Sequence, residues 1–298
     1  MSAVKNYLSL VKFSHTLFAL PFAMIGFFLG VYHREVLSAA DPVIVRVLVM
    51  KFVLVLICMI TARSAAMAFN RYLDRHFDAQ NPRTAIREIP KGIIAANNAL
   101  RFVIVCCVLF MISCRFINSL CFYLSPVALF VILFYSYTKR FTRFCHIVLG
   151  IGLSLAPIGA FLAVTGHFAL LPLLFSGAVI CWVSGFDIIY ALQDVEFDQS
   201  RRLHSIPVSL GKTNALLVSA LLHGVSVFFV LAAGLYGGFG YWYWLGMALF
   251  AGMLIYQHAI VKPHDLSRVN LAFMTANGIA SVMFSLFVIT DMIVMHKH

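Results

Sequence analysis

The sequence predicts an all-α protein, a polytopic membrane bundle of nine transmembrane helices around a central cavity. Of its 298 residues, 62% are hydrophobic and only 11% are charged, whereas about a quarter of the residues of a soluble domain are charged. The apolar residues fall into runs of roughly 20, which is the length that spans a bilayer as a helix. The basic residues between these runs collect on one side of the predicted topology, as they do in membrane proteins.

Nine apolar runs are predicted to be spanning helices, and the third of them is the shortest. In chain order they cover about residues 14–33, 43–68, 98–114, 117–137, 146–166, 169–192, 213–236, 241–261 and 271–294. The first run follows Lys5 and Lys12 and has no small-residue cleavage site, so we interpret it as a retained helix and not as a signal peptide. Residues 1–298 are expected to form one integral-membrane domain.

The distribution of basic residues supports an odd number of spans. With nine spans, the N-terminus and the loops after the second, fourth, sixth and eighth spans share one side of the membrane. That side carries sixteen of the 22 Lys and Arg residues, the other side carries five, and Arg63 lies inside the second span. Because positive charge marks the cytoplasmic side, these loops are predicted to be cytoplasmic. The net charge of +11 therefore reflects topology and an anionic ligand, and no nucleic-acid partner is expected.

Seven of the eleven acidic residues lie in two groups on this predicted cytoplasmic side: Asp74, Asp78 and Glu88 in the first, and Asp187, Asp194, Glu196 and Asp198 in the second. Each group contains a window of nine residues, and the first window, NRYLDRHFD, contains Asn70, Asp74 and Asp78. The second, YALQDVEFD, has Asp194 and Asp198 at the corresponding positions and also ends in Phe-Asp. The likeness indicates an internal repeat of helices 1–4 and 5–8. Such a repeat would place the two windows opposite each other, at the interface where membrane proteins with repeats often bind their ligands.

The spacing within each window indicates a binding site. Residues four apart project from one helix face, and like charges at that spacing destabilise a helix. Four carboxylates from two helices suit a hard cation such as Mg²⁺, and basic residues on the same side suit a phosphate group. Those basic residues are Arg83, Arg87, Lys139, Arg140 and Arg143. The combination predicts a site for a metal ion and a phosphate, although charged loops at a membrane surface are also common.

Two other classes of function stay open at this point. A cation-coupled secondary transporter could use paired intramembrane carboxylates, but it would not explain the Lys-Arg clusters beside them. A structural or assembly protein would not explain the matched windows. His15 and Asn277, which lie inside predicted helices, either line a cavity or form hydrogen bonds between helices. The seven Cys residues have no metal-binding spacing and are interpreted as small buried apolar residues.

These motifs resemble those of the UbiA superfamily of intramembrane prenyltransferases, over essentially the whole chain. Asn70, Asp74 and Asp78 fit the pattern N-x-x-x-D-x-x-x-D, which is continued by Arg83 and REIPKG. YSYTKRFTRFCHIVLG is similar to the stretch Tyr-Pro-x-x-Lys-Arg-x-Thr before the fifth helix. GFDIIYALQDVEFDQSRRLHSIPVSLG is similar to the second Asp motif. The three motifs occur in order and with the spacing of the family.

The resemblance implies transfer of a polyprenyl group from a polyprenyl diphosphate to an aromatic acceptor. It implies Mg²⁺ as cofactor, with the metal ligands Asn70, Asp74, Asp78, Asp194 and Asp198. It implies diphosphate contacts from Asn70, Arg83, Arg87, Lys139 and Arg140. The residues expected to take part in catalysis are Asp74, Asp194, Asp198 and Arg140. Among these, Asp194 is the predicted base for an acceptor hydroxyl.

Departures from the family pattern leave the acceptor open between 4-hydroxybenzoate and a dihydroxynaphthoate. Ser136 stands where Pro is common, His146 stands where Gln or Asn is common, and Ile89 interrupts an Arg-Pro pair. With FSHTLFALPFA in the first helix, the chain resembles the 4-hydroxybenzoate polyprenyltransferase branch, which serves ubiquinone or menaquinone biosynthesis. The expected location is a bacterial inner membrane, with lipid around the bundle and no obligate protein partner. The roles of His15 and His146 are left open.

Overall fold

A computed structural model of the chain describes residues 3–11, 19–33 and 42–295, and these residues are almost entirely helical. In chain order the helices are α1 (Ala3–Leu10), α2 (Leu20–His33), α3 (Pro42–Leu73), α4 (Arg75–Gln80), α5 (Ala96–Ile117), α6 (Ser119–Thr138), α7 (Cys145–Thr165), α8 (Leu170–Ala191), α9 (Val195–Ser200), α10 (Ile206–Gly237), α11 (Tyr241–Ile260), α12 (Val269–Leu271) and α13 (Asn277–Met295). A π-helical turn joins α12 to α13. His15 and the start of the first predicted span lie outside the described residues.

Seven of the described helical segments are long and apolar enough to cross a membrane. They contain α3, α5, α6, α7, α8 with its continuation through α9, α10, and α12 with α13. The other two predicted spans correspond to α2, of 14 residues, and α11, of 20 residues. The prediction of an all-helical membrane protein is therefore confirmed, while the total of nine spans stays a prediction.

Most of the long helices pack against their neighbours in the chain, and the last helix, α13, packs against α2. α8 packs between α7 and α10, and α13 lies against both α11 and α2. Ser285 on α13 donates a hydrogen bond of 2.9 Å to the Pro21 carbonyl at the start of α2. α2 also approaches α7 so closely that a Cβ at Gly26 would lie 2.0 Å from the Pro157 carbonyl oxygen. Only glycine fits there, and α2 therefore lies directly against α7.

The largest cluster of buried side chains among the described residues joins α2, α7, α8, α10, α11 and α13 and is rich in aromatic residues. Phe22, Trp182, Phe250 and Phe284 are fully buried. Their ring centroids lie between 5.2 and 6.4 Å apart where they touch, at the tilted and edge-on angles that aromatic rings prefer. The outer faces of α3, α5, α6 and α10 expose many large apolar residues, as expected of a surface that lipid covers.

Two helices begin earlier than the apolar pattern predicts. α5 starts at Ala96, so the span predicted to be the shortest is a helix of 22 residues. α10 starts at Ile206, seven residues before its predicted start, because Ser205 caps it by accepting a hydrogen bond from the Val208 N–H. Gly211 then interrupts the helix with a φ of +76°, a backbone conformation that favours glycine. The first turn of α10 is thus set at an angle to the spanning part.

Asp291 on α13 connects that helix to the start of α11. Its side chain is 1% exposed and accepts hydrogen bonds from the backbone N–H groups of Gly240, at 2.7 Å, and Tyr243, at 3.3 Å. A carboxylate at a helix N-terminus satisfies donors that have no partner within the helix. Asp291 is therefore a buried cap of α11.

Replacing Asp291 by Leu is expected to destabilise the fold by about 2 kcal/mol, because two buried N–H groups lose a charged acceptor. The midpoint of thermal unfolding of the purified protein in detergent should fall. Thr290→Val, at the partly buried neighbouring position, is the matched control and should leave the midpoint nearly unchanged. Equal midpoints for Asp291→Leu and the parent protein would contradict the capping role.

Candidate active site

The two acidic windows have the same local structure. Asp74 stands between α3 and α4 with φ −90° and ψ 7°, and Asp194 stands before α9 with φ −107° and ψ 2°. A helix of six residues follows each of them. The helices are therefore broken at the middle Asp, where the sequence predicts one continuous face. The Asp78 N–H still donates a backbone hydrogen bond of 2.8 Å to the Asp74 carbonyl, so the two residues remain one helical turn apart.

Each of the four Asp side chains in the windows is paired with its own basic side chain. The pairs are Arg140 with Asp74 (3.2 Å), Arg87 with Asp78 (2.7 Å), Arg83 with Asp194, and Lys139 with Asp198 (2.7 Å). Asn70 donates from Nδ2 to Asp74 Oδ2 at 3.1 Å. Each carboxylate of the two windows is therefore neutralised by a cation of its own.

Arg83 joins the two windows. It follows the first window in the chain, yet its guanidinium donates to both carboxylate oxygens of Asp194 in the second, through Nε at 3.0 Å and through Nη2. Its Nη1 also donates to the Tyr190 hydroxyl at 2.9 Å. Asn81 adds a bond of 3.3 Å from Nδ2 to Asp194 Oδ1. Windows 120 residues apart are thus tied together at the ends of α4 and α8.

Burial changes the acidity of two groups that lie just outside the spanning helices. Burial raises the pKa of Asp74 because the charged carboxylate is less well solvated, and the hydrogen bond from Arg140 opposes this rise. Burial by itself lowers the pKa of Lys139, but the attraction of Asp198 outweighs it, so the pKa is raised. Asp74 is therefore easier to protonate than an ordinary Asp, while Lys139 stays charged at neutral pH.

The site opens onto two connected cavities of different polarity. The polar cavity, of about 280 Å³, lies between both acidic windows and the ends of α6 and α7. The apolar cavity, of about 360 Å³, lies between α3, α5, α6 and α7. Five residues line both cavities and mark the place where they meet: Arg63, Met67, Tyr135, Leu149 and Leu153. The interior can therefore hold a ligand with a charged end and a long hydrocarbon end.

Several buried polar atoms that line the polar cavity have no hydrogen-bond partner within the part of the chain that the structure describes. They are Arg63 Nε, Arg71 Nη1, Asp78 Oδ2, Ser136 Oγ and His146 Nε2. Buried polar groups almost always have partners. Among the described residues, no three His, Cys, Asp or Glu side chains lie close enough together to hold a metal ion. Because the unpartnered atoms include hydrogen-bond donors and acceptors, they indicate a ligand that carries both.

A magnesium ion bound together with a phosphate ligand fits this donor set. Mg²⁺ usually takes one or two carboxylates, with water and substrate phosphates in its other positions, so a cluster of three protein ligands is not required. Asp78 Oδ2 is a hard oxygen donor that has no hydrogen-bond partner among the described residues. The basic side chains beside the carboxylates supply contacts for the phosphate.

All nine residues that the sequence predicts for the site line the polar cavity. They are Asn70, Asp74, Asp78, Arg83, Arg87, Lys139, Arg140, Asp194 and Asp198. Arg143 does not belong to this lining, and His15 is outside the described residues. The prediction that the two windows face each other agrees with the contacts of Arg83. Their roles as metal, diphosphate or catalytic residues stay predictions.

Sequence reasoning missed four residues that complete the site: Arg63, Asn81, Asp187 and Tyr190. Arg63 carried a signal, because a charged residue inside a spanning helix marks a functional position by default. Asp187 belongs to the second acidic group but has no counterpart in the first window. Asn81 and Tyr190 are defined by their contacts with Asp194 and Arg83, which the sequence spacing does not reveal.

The sequence profile of the UbiA prenyltransferase family matches residues 19–279 of the chain. The chain belongs to this family. Membership confirms the resemblance predicted from the two Asp windows and the stretch YSYTKRFTRF. The UbiA profile includes both windows, the loop that carries Arg83 and the ends of α6 and α7.

Relatives of this UbiA protein include two bacterial enzymes named 4-hydroxybenzoate octaprenyltransferase. The enzyme of Nitrosospira multiformis is 30% identical over 223 residues, which are 75% of this chain and 77% of the relative. The enzyme of Methylococcus capsulatus is 29% identical over 246 residues, 82% of this chain and 81% of the relative.

Solved structures of UbiA homologues share the fold. The apo structure of a UbiA homologue from Aeropyrum pernix has a TM-score of 0.77 and 28% identity, and the match covers 95% of this chain and 98% of that one. A UbiA homologue from Archaeoglobus fulgidus, bound to GPP and Mg²⁺, has a TM-score of 0.68 and 21% identity over 96% of this chain and 99% of that one. This UbiA protein is therefore an integral membrane enzyme of the prenyltransferase class.

Proposed function

We propose that the protein transfers a polyprenyl group from a polyprenyl diphosphate to an aromatic acid in quinone biosynthesis. The observation that carries this proposal is the junction between a polar and an apolar cavity. A polyprenyl diphosphate has the same division, with a charged head and a hydrocarbon tail that meet at the allylic carbon. That carbon would lie at the junction, beside Arg63 and Tyr135.

Mg²⁺ is the metal that we propose for the site, held with the diphosphate by the carboxylates of the two windows and by Asn70. When bound, it supplies Lewis-acid neutralisation of the charge that builds on the leaving diphosphate. Hard oxygen donors favour such a cation. The Archaeoglobus fulgidus homologue bound to GPP and Mg²⁺ supports the assignment.

The four basic residues are proposed to exchange partners when the donor binds. Arg83, Arg87, Lys139 and Arg140 neutralise the carboxylates in the structure. With a divalent cation on the carboxylates, these side chains can turn towards the oxygens of the diphosphate. Arg side chains suit bidentate contacts with phosphate, and Lys suits a point-charge contact. The same four residues would then stabilise the leaving group as the carbon–oxygen bond breaks.

The acceptor is proposed to be an aromatic acid that lies at the cavity junction. Arg63 forms an ion pair with none of the carboxylates that the structure describes, and its Nε has no hydrogen-bond partner. A buried guanidinium needs an anion, and an acceptor carboxylate would supply one. The names of the relatives favour 4-hydroxybenzoate. A dihydroxynaphthoate, as in menaquinone biosynthesis, is the second acceptor to test.

The basic loops beside the site are proposed to face the cytoplasm, in a bacterial inner membrane. The polar cavity lies at the helix ends that carry most of the Lys and Arg residues, and positive charge marks the cytoplasmic side. A soluble aromatic acid would then enter from the cytoplasm, while the donor enters from the lipid. No protein partner is needed for this scheme.

Product analysis with purified protein in lipid nanodiscs tests the proposed function. Geranyl, farnesyl and octaprenyl diphosphates are each combined with 4-hydroxybenzoate or 1,4-dihydroxy-6-naphthoate, with Mg²⁺ present, and the products are identified by mass spectrometry. We expect one acceptor to gain a prenyl group. If no acceptor gains one while a cation gradient across proteoliposomes drives solute uptake, the protein is a transporter.

The apolar cavity is expected to set the length of the prenyl chain. Gly159 lines it, and an added Cβ would meet no atom within 4 Å. Gly159→Leu should therefore fold but obstruct the tail, lowering kcat/KM for an octaprenyl donor by about tenfold or more, because each 1.36 kcal/mol of lost transition-state binding is tenfold. The geranyl donor, which is shorter, should be affected much less.

Gly224→Leu is the matched control for this substitution. Gly224 is also a helical glycine with open space at its Cβ position, but it is exposed on α10 and does not line the cavity. Its variant should keep the donor preference of the parent protein. An unchanged ratio of octaprenyl to geranyl activity in Gly159→Leu would show that the tail lies elsewhere.

A further inference from the structure

We propose that His146, held by Asp187, is the base that removes the proton from the hydroxyl group of the acceptor. The inference rests on the proposed function, because it assigns a role within the same site. His146 begins α7 and Asp187 lies near the end of α8. The distance from His146 Nδ1 to Asp187 Oδ2 is 2.7 Å, and both residues line the polar cavity.

The other ring nitrogen of His146, Nε2, is available to a ligand in the polar cavity. The side chain is 2% exposed, and its Nε2 has no hydrogen-bond partner among the described residues. The backbone is fixed as well, because Ser184 on α8 donates to the His146 carbonyl at 3.1 Å. A buried imidazole with one nitrogen bound and the other free is prepared for a ligand, since native structures rarely leave such an atom unpaired.

Asp187 differs from the four Asp residues of the two windows in its partner. Those four are each paired with Arg or Lys, whereas Asp187 contacts an imidazole. In its neutral form, the form that can act as a base, His146 donates from Nδ1–H to the carboxylate, and the lone pair is on Nε2. The carboxylate therefore fixes the tautomer and the orientation, as in other Asp–His pairs that act as bases.

Asp194, the base predicted from the sequence, is less suited to the task. Both of its oxygens accept hydrogen bonds from the Arg83 guanidinium, and Oδ1 also accepts one from Asn81. These three hydrogen bonds occupy most of the acceptor positions of the carboxylate, which would otherwise receive the phenolic proton. Asp194 would hold Arg83 and the metal–diphosphate group, and His146 would act on the acceptor.

The proposed step balances in protons and electrons. His146 Nε2 takes the phenolic proton, and the ring carbon ortho to the oxygen forms a bond to the allylic carbon. The carbon–oxygen bond of the donor breaks, and its electron pair leaves with the diphosphate. The proton on the new tetrahedral ring carbon passes to the released diphosphate, which restores the aromatic ring. His146 then returns its proton to the phenolate oxygen, so the base is regenerated.

The test compares two acceptors that differ in the acidity of the hydroxyl group. His146→Gln removes the basic nitrogen but retains an amide that can donate to Asp187. With 4-hydroxybenzoate, kcat should fall by about 10² to 10⁴, the usual contribution of a general base. With a fluorinated 4-hydroxybenzoate that keeps a hydrogen on one ring carbon ortho to the hydroxyl, and whose hydroxyl is already ionised at the assay pH, the loss should be much smaller. If the parent enzyme prefers the dihydroxynaphthoate, that acid and its fluorinated analogue form the pair.

Chemical rescue and a matched control complete the design. His146→Ala should regain activity when free imidazole is added. Asp187→Asn, which disturbs the tautomer but keeps the imidazole, should show a smaller loss than His146→Gln. His76→Gln changes an exposed histidine of α4 that does not line the cavity, and it should leave kcat unchanged. Binding of the prenyl diphosphate to each variant shows that the site is folded.

The outcomes of these experiments distinguish a failure of the role of His146 from a failure of the proposed function. Equal losses with both acceptors and no rescue by imidazole would assign His146 a structural role and overturn the inference. A raised KM for both acids with an unchanged kcat would show that His146 only binds the acceptor. That result would also overturn the inference. If the parent enzyme forms product and the His146→Gln variant is fully active, the inference about His146 is wrong but the proposed function stands. No product from the parent enzyme defeats the proposed function as well.

Discussion

Asp198→Asn is expected to lower kcat for prenyl transfer by on the order of a thousandfold. Asp198 is 1% exposed, and the Lys139 ammonium lies 2.7 Å from its carboxylate. In the proposed reaction this carboxylate would be one of the residues that hold Mg²⁺. Losing a Lewis acid removes several kcal/mol of transition-state stabilisation, and each 1.36 kcal/mol is a factor of ten. Steady-state rates measured over a range of Mg²⁺ concentrations check this result.

Glu196→Gln is the matched control for Asp198→Asn. Glu196 lies on the same short helix, two residues away, but its side chain is 90% exposed and pairs with Lys212 at 3.2 Å on the surface. Its variant should keep the rate of the parent enzyme. Full activity of Asp198→Asn, or an equal loss in both variants, would contradict the role of the buried carboxylate.

A double variant separates catalysis from folding. Removing Asp198 leaves the buried Lys139 without its carboxylate, and breaking a buried ion pair is strongly destabilising. Adding Lys139→Gln removes that isolated charge, so the double variant should recover much of the lost thermal stability. It should remain inactive, because neither the metal ligand nor the cation is restored. Recovery of activity together with stability would show that Asp198 serves only the fold.

Arg83→Gln is expected to lower kcat/KM for the prenyl diphosphate by about a hundredfold, similar to the removal of one donor from a preorganised charge-stabilising site. Arg83 is the residue that joins the loop after the first window to Asp194 and Tyr190. Its loss removes a phosphate contact and also loosens the two halves of the site. Calorimetry with Mg²⁺ present should show that the variant also binds the prenyl diphosphate more weakly.

Arg201→Gln is the matched control for Arg83→Gln. Arg201 is exposed at the end of α9 and does not line the polar cavity. Its variant loses the same charge near the same face of the protein, so it reports any general effect of net charge. Donor affinity should be unchanged. Equal weakening by the two substitutions would mean that Arg83 acts only through long-range electrostatics.

The sequence predicted the helical architecture and residues that line the polar cavity, because both follow from patterns within short segments. Apolar runs of bilayer length mark the helices, and a four-residue repeat of acids marks each window. The two windows proved alike in backbone structure, down to the break at Asp74 and at Asp194. The repeat of helices 1–4 and 5–8 stays a prediction that this likeness supports.

What the sequence did not predict depends on contacts between distant segments. The pairing of Arg83 with Asp194 and of His146 with Asp187 joins residues 111 and 41 positions apart. Asp291 is a carboxylate near the end of an apolar helix, and only the packing of α13 against α11 makes it a cap. The early start of α10 depends on a Ser cap and a Gly bend outside the apolar run.

The most direct measurement is the yield of prenylated acid and of inorganic diphosphate from one reaction of the purified protein. If the two windows form one magnesium–diphosphate site, the yields are equal. Both then need the donor, the acceptor and Mg²⁺, and both disappear with EDTA or in Asp198→Asn. Diphosphate release without a prenylated product, or product formation that EDTA does not affect, would contradict this account.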